Sequence, residues 1–257
     1  MKINFRTCSI YIIIFIFILT SFSYIAAFLP EYSENIQLKA ANPDYWPTSV
    51  WKESSPEDQG VDSQKLQDME DYIMANSLNF DSILVVRNGY LVHESYPSHI
   101  YDEDDTHHIY SCTKVFTSTL VGIAIEEGLI GNIDDKVLDY FSEKTFDNMD
   151  SQKQSITIRH LLTMTSGIEW TDQIDFYQMA ATSDWVQYIL DQPIEHQPGS
   201  VWNYNTGCSH LLSAILDKLT PNGTIDYIES KLFDPLNITN YSWTVDGQGI
   251  PIGGTLL

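Results

Sequence analysis

A chain of 257 residues with 35 Asp and Glu against 13 Lys and Arg carries a formal charge of −22 at pH 7. That excludes a nucleic-acid groove, which needs clustered cations to displace phosphate counterions. Hydrophobic residues at 43% and aromatic residues at 12% exclude a disordered acidic tail, because such a composition buries enough apolar surface to offset chain entropy.

Lys2 and Arg6 precede a run that holds no further charge until Glu31 and stays apolar through Phe28. Residues 7–29 are long enough to cross a hydrocarbon core, which takes about 20 residues, and the positive flank would stay inside. The expectation is a membrane-anchored protein with an extracytoplasmic domain, or a secreted one if a signal peptidase cuts near Ala26 or Ala27. Asn222-Gly-Thr, Asn237-Ile-Thr and Asn240-Tyr-Ser are usable glycosylation acceptors if the chain reaches a compartment that glycosylates. Three cysteines, Cys8, Cys112 and Cys208, are too few for a disulfide scaffold, and none forms a CxxC pair. A Cys112–Cys208 disulfide stays open in an oxidising compartment.

After the anchor or signal segment at 1–30, residues 31–60 carry Pro43, Pro47 and Pro56 among polar residues and read as an extended tether. Residues 61–257 read as the folded domain. Asp62 or Ser63 can cap a helix whose apolar positions Leu66, Met69, Tyr72 and Ile73 recur at helical spacing as far as about Ala75. Two apolar runs at 81–87 and 90–96 flank Asn88-Gly89, which predicts a hairpin of two antiparallel strands. Val115, Phe116, Thr119, Leu120, Ile123 and Ala124 share one face of a buried helix, and Gly128 stands where it would end. Further helices are expected over 158–164, 184–190 and 209–219. A helix, a hairpin and a run of helices give an α+β plan.

Ser111-Cys-Thr-Lys114 opens the most apolar of these helices. Positions i and i+3 share a helix face, so the amine of Lys114 can reach the hydroxyl of Ser111. A serine hydroxyl becomes a good nucleophile when such a neighbour takes its proton. Ser49-Val-Trp-Lys52 has the same spacing but lies in the Pro-rich tether with no apolar helix behind it. Two readings of Ser111 stand at this point, a nucleophile and a plain helix cap. Residues 195–207 form a Pro-Gly turn running into an aromatic and amide cluster, where Tyr204 could pass protons with Lys114 or simply pack under the turn. His107-His108 beside Asp102 to Asp105 hints at metal, but adjacent residues share no face and no second ligand cluster follows, so a solvated loop is expected. Cys112 should point into the core.

Taken together, Ser111-Cys-Thr-Lys114, Tyr204-Asn205-Thr206, and the text at 55–63, 160–167 and 198–204 resemble the β-lactamase-related serine hydrolases. These include class C β-lactamases, penicillin-binding DD-peptidases, esterases and 6-aminohexanoate-oligomer hydrolases. The resemblance covers about residues 50–257. It implies an antiparallel sheet with flanking helices plus a helical subdomain, no cofactor and no metal. It also implies an acyl-enzyme route on a small-molecule or peptide-like amide or ester: Ser111 attacks, Lys114 takes its proton, and Tyr204 relays it.

The sequence departs from the family twice. The family's Tyr-x-Asn has Thr206 at its third position, so substrate or lysine orientation falls to Thr206, Asn205 or Asn203. The late strand bearing Lys or His, then x-Gly, is not reached before Leu257, so the chain reads as C-terminally truncated. A non-catalytic binding or surface domain on the same fold is therefore the alternative.

Overall fold

The computed structural model describes residues 3–4, 45–47 and 49–257. The expected membrane segment at 7–29, the first part of the tether and Cys8 lie outside the described residues. Among those described, no helix is long and apolar enough to cross a membrane. The chain divides into two compact units, one built from 108–234 and 241–257, the other from the described residues up to His107 together with 235–240.

In the second unit, Ile3–Asn4 (β1) pairs antiparallel with a short strand described below. Helix α1, Ser63–Ala75, begins where Asp62 caps it, its side chain accepting from the Gln64 N–H at 2.9 Å. Strands β2, Ile83–Arg87, and β3, Tyr90–Ser95, pair antiparallel with a bulge between Val85 and Val86. Asn88 and Gly89 both take positive φ, 51° and 85°, the backbone of a primed turn whose twist matches that of the strands. The tether behaves differently from its expectation near its end. The Leu91 N–H donates to the Lys52 carbonyl at 2.9 Å and the Ser54 N–H to the Leu91 carbonyl at 3.2 Å. Residues 51–55 hold no proline, so their N–H groups are free to join a strand edge. Strand β4, Thr106–His107, pairs with β1.

The first unit is helical. A 3₁₀ turn, Tyr110–Cys112, leads into α2, Thr113–Glu126. Then come α3, Ile158–Leu162, α4, Asp172–Ala180, α5, Trp185–Asp191, α6, Thr206–Leu219, and α7, Gly223–Ile228. Helix α6 is buried on every side from Thr206 to Leu216, the mark of a central helix. It packs on α2, α3, α5 and α7. Its Leu211, Leu212, Ile215 and Leu216 supply the apolar bulk. Its small residues Gly207, Ser209 and Ser213 leave room for neighbouring chain, and Ser213 Oγ donates to the Pro251 carbonyl at 2.7 Å. The hairpin and the run of helices give the expected α+β composition. Five of the helices, α1, α2, α3, α5 and α6, stand within three residues of their expected ends; α4 and α7 carry no expectation from the sequence.

Candidate active site

The residue before Ser111 has an unusual backbone. Tyr110 takes φ 44°, a left-handed conformation that costs a non-glycine residue about 1–3 kcal/mol. Its carbonyl accepts from Thr113 Oγ1 at 2.6 Å, and the Cys112 N–H donates to the Ile109 carbonyl at 2.9 Å. The turn leaves Ser111 exposed one turn ahead of α2.

Ser111 Oγ accepts from Lys114 Nζ at 3.1 Å and from the Tyr204 hydroxyl at 2.6 Å. Lys114 Nζ also donates to the Gly254 carbonyl at 2.6 Å and to Thr206 Oγ1 at 3.3 Å, and lies 4.8 Å from the centre of the Tyr204 ring. Three sequence-predicted residues, Ser111, Lys114 and Tyr204, thus meet at one oxygen, and Thr206 joins them through the amine.

Each member is held by its own element. Tyr204 ends a loop pinned to the 164–170 segment. The Glu195 N–H donates to the Gly167 carbonyl at 2.8 Å, the Gly199 N–H to the Thr165 carbonyl at 2.7 Å and the Asn203 N–H to the Met164 carbonyl at 2.9 Å. Asn203 Nδ2 donates to the Trp170 carbonyl at 2.8 Å, so Asn203 fixes the loop. Asn205 is 1% exposed and caps α6, its Oδ1 accepting from the Cys208 N–H at 3.0 Å. Asn205, expected to orient substrate or lysine, is placed by the structure as this cap: a helix start needs its orphan N–H groups satisfied, and the buried Asn205 Oδ1 serves that need.

Two residues of this site escaped the sequence reading. Gly254 lies where the end of the chain returns across α2 and α6, and Thr117 Oγ1 donates to the Gly253 carbonyl at 2.7 Å. A Cβ at Gly254 would stand 2.5 Å from Thr206 Cγ2 and 3.0 Å from the Thr206 carbonyl. Only glycine lets this carbonyl approach Lys114. Asp172 accepts from the Thr206 N–H at 2.7 Å, from Thr206 Oγ1 at 3.0 Å and from Trp170 Nε1 at 2.8 Å. Nothing in the spacing of Asp172 marks it; only the fold brings it to Thr206.

The residues left aside on sequence grounds fall as follows. Cys112 and Cys208 are both free thiols. Burial pushes the Cys112 thiol up, against the opposing pull of Lys114, and burial pushes that of Cys208 up to about 12, so neither is a ready thiolate. His107 is not in a solvated loop: its Nε2 lies 2.6 Å from Asp81 Oδ2, half-buried in the second unit. His108 stacks on Tyr110 with ring centres 5.4 Å apart. Ser49 is exposed with no helix at its back. A hollow of about 160 Å³ opens beside Lys114, lined in part by Leu161, Met164, Ser209 and Leu212. A larger one of about 610 Å³, between Glu127 and Asp226, contains no comparable nucleophile and base.

A sequence model of the Beta-lactamase family matches residues 67–255, nearly all of the described chain. This chain belongs to the β-lactamase family. Among curated relatives, Protein flp of Staphylococcus aureus (strain N315) is 27% identical over 172 residues, covering 63% of this chain and 34% of that protein. The solved structure of EstCE1, a hydrolase with promiscuous acyltransferase activity, is 15% identical with a TM-score of 0.57, covering 74% of this chain and 55% of that one. The octameric penicillin-binding protein homologue from Pyrococcus abyssi is 18% identical with a TM-score of 0.52, covering 76% and 53%. At these identities the structures share the fold, which is of the β-lactamase/DD-peptidase type. The chain spans about a third of the length of the curated relative and about half that of the solved structures. Membership supports a hydrolase type of function.

Proposed function

We propose that this chain carries the nucleophile, base and proton relay of a serine hydrolase that cleaves an amide or ester bond through an acyl-enzyme. The observation that carries the reading is the pair of contacts at Ser111 Oγ, 3.1 Å to Lys114 Nζ and 2.6 Å to the Tyr204 hydroxyl. Of the three oxygens around the amine, the Gly254 carbonyl has no proton to return and the Thr206 proton faces Asp172. Ser111 alone can donate to an uncharged Lys114. In that state Ser111 Oγ attacks the substrate carbonyl carbon and its proton passes to Lys114. The bond to the leaving group then breaks, and the leaving atom takes a proton from Tyr204, which Lys114 replaces. Water attacks the acyl ester in turn, gives its proton to the same relay, and Ser111 is released.

Hydrolysis of a nitrophenyl ester by single and double variants tests this. Ser111→Ala and Lys114→Ala should each lower kcat on the order of a thousandfold or more, and the double variant little further, because groups acting as one unit are non-additive. Ser49→Ala should change nothing. Additive losses, or a loss at Ser49, would contradict the reading, and a non-catalytic domain predicts no turnover in the unaltered chain.

A further inference from the structure

Thr206 stands where the family has an amide, and a hydroxyl differs from an amide in one respect that matters beside a lysine. Its single proton can point either way, so the same atom is an acceptor or a donor according to what faces it. Here Asp172 settles the direction. Its Oδ1 accepts from the Thr206 N–H and from Trp170 Nε1, and its Oδ2, 3.0 Å from Thr206 Oγ1, takes the hydroxyl proton, since an ionised carboxylate only accepts. Thr206 Oγ1 therefore presents lone pairs to Lys114 Nζ at 3.3 Å.

We propose that Asp172 is a positioning residue that, through the Thr206 hydroxyl, aims the lone pair of Lys114 at Ser111. An uncharged amine has two N–H groups and one lone pair. With the Gly254 carbonyl at 2.6 Å and Thr206 Oγ1 both acting as acceptors, the two N–H groups are committed and the lone pair is left to the Ser111 hydroxyl. The inference rests on the nucleophile and base roles given above.

Asp172→Asn reverses this arrangement without changing shape. The amide oxygen of the asparagine would stay with the two N–H donors, which places its NH₂ against Thr206 Oγ1. The hydroxyl then accepts from the amide, and its own proton turns to Lys114 and takes up the lone pair that Ser111 needs.

The test uses the full chain and a fluorophosphonate. Serine Oγ attacks phosphorus, the P–F bond breaks, fluoride leaves and the serine proton passes to Lys114. The labelling rate at Ser111 is followed by mass spectrometry. Asp172→Asn should slow labelling on the order of tenfold or more. Thr206→Val should slow it when Asp172 is intact and speed it by about tenfold in the Asp172→Asn background, because it removes the misdirected proton. A group of purely structural importance gives no such reversal of sign. Thr206→Ser, which keeps the hydroxyl, should label faster than Thr206→Val. Equal rates with and without Asp172→Asn, or no reversal in the double variant, would overturn the inference. Should Asp172→Asn fail to fold, equal rates for Thr206→Ser and Thr206→Val would overturn it. No labelling of Ser111 in the unaltered chain would overturn the nucleophile reading itself and this inference with it.

Discussion

At Ser111 the oxygen faces two groups able to give or take a proton, Lys114 and Tyr204, while burial pushes the neighbouring thiol of Cys112 up. Away from this site, the pair His210 and Asp246 shows what the same chemistry does for stability. Their side chains are fully buried and 3.1 Å apart. Burial pushes the Asp246 carboxyl up, but hydrogen bonds from His210 and from the N–H groups of Ile250 and Gln248 outweigh it and hold the carboxyl below its usual value. A carboxyl depressed in the folded state stabilises the fold above its unfolded value and loses that contribution as pH falls toward the folded one. Denaturant unfolding of Asp246→Asn should therefore show a loss of about 1–3 kcal/mol at pH 7, as when a buried hydrogen-bonding group loses its partner. Between roughly pH 4 and pH 3, where an unfolded carboxyl takes up its proton, the variant should fall less steeply than the unaltered chain. Parallel curves would contradict the assignment. Among single residues, helical spacing made Ser111 and Lys114 candidates and an aromatic loop made Tyr204 one, and the resemblance to the β-lactamase-related hydrolases put the three in one site. Asp172 was not legible, because it lies 34 positions from Thr206 and only the fold makes them neighbours.

Elements differ in the same way. The helices α1, α2, α5 and α6 announce themselves by an apolar period or a capping side chain. Asp184 accepts from the Gln187 N–H at 2.9 Å to start α5. Helix α4 buries only Met179 and leaves Ile174 and Tyr177 exposed, so its sequence has no apolar stripe to read. Helix α6 starts three residues ahead of its expected position: Thr206, Gly207 and Cys208 are poor helix formers, and tertiary burial with the Asn205 cap overrides that preference. The segment from Met164 to Trp170 and the loop from 195 to 203 were legible only as separate pieces of text, although they form one clamp behind Tyr204. Gly167 makes the clamp possible: it takes φ 76°, and a Cβ there would stand 1.9 Å from the His196 carbonyl oxygen. Gly167→Ala should cost about 2–4 kcal/mol in denaturant unfolding, as a strained backbone with a backbone clash does. It should also slow ester hydrolysis, because the loop that ends in Tyr204 is displaced. A variant as stable as the unaltered chain would show that the clamp has slack.

On the scale of the molecule, every residue of the candidate site belongs to one compact unit, that built from 108–234 and 241–257. Ser111 and Lys114 enter it from the start of α2, Tyr204 and Thr206 from the start of α6, Asp172 from the start of α4 and Gly254 from the returning end of the chain. The charge of −22 argues against a polyanion ligand, which needs clustered cations. In the proposed mechanism the oxygen of Ser111 forms the covalent bond. Reaction of the full chain with a fluorophosphonate, followed by peptide mapping in a mass spectrometer, reads that bond directly. A single adduct is expected on the peptide holding Ser111, absent from Ser111→Ala. An adduct on Ser49 or Cys112, or none at all in a chain that still hydrolyses an ester, would contradict the mechanism.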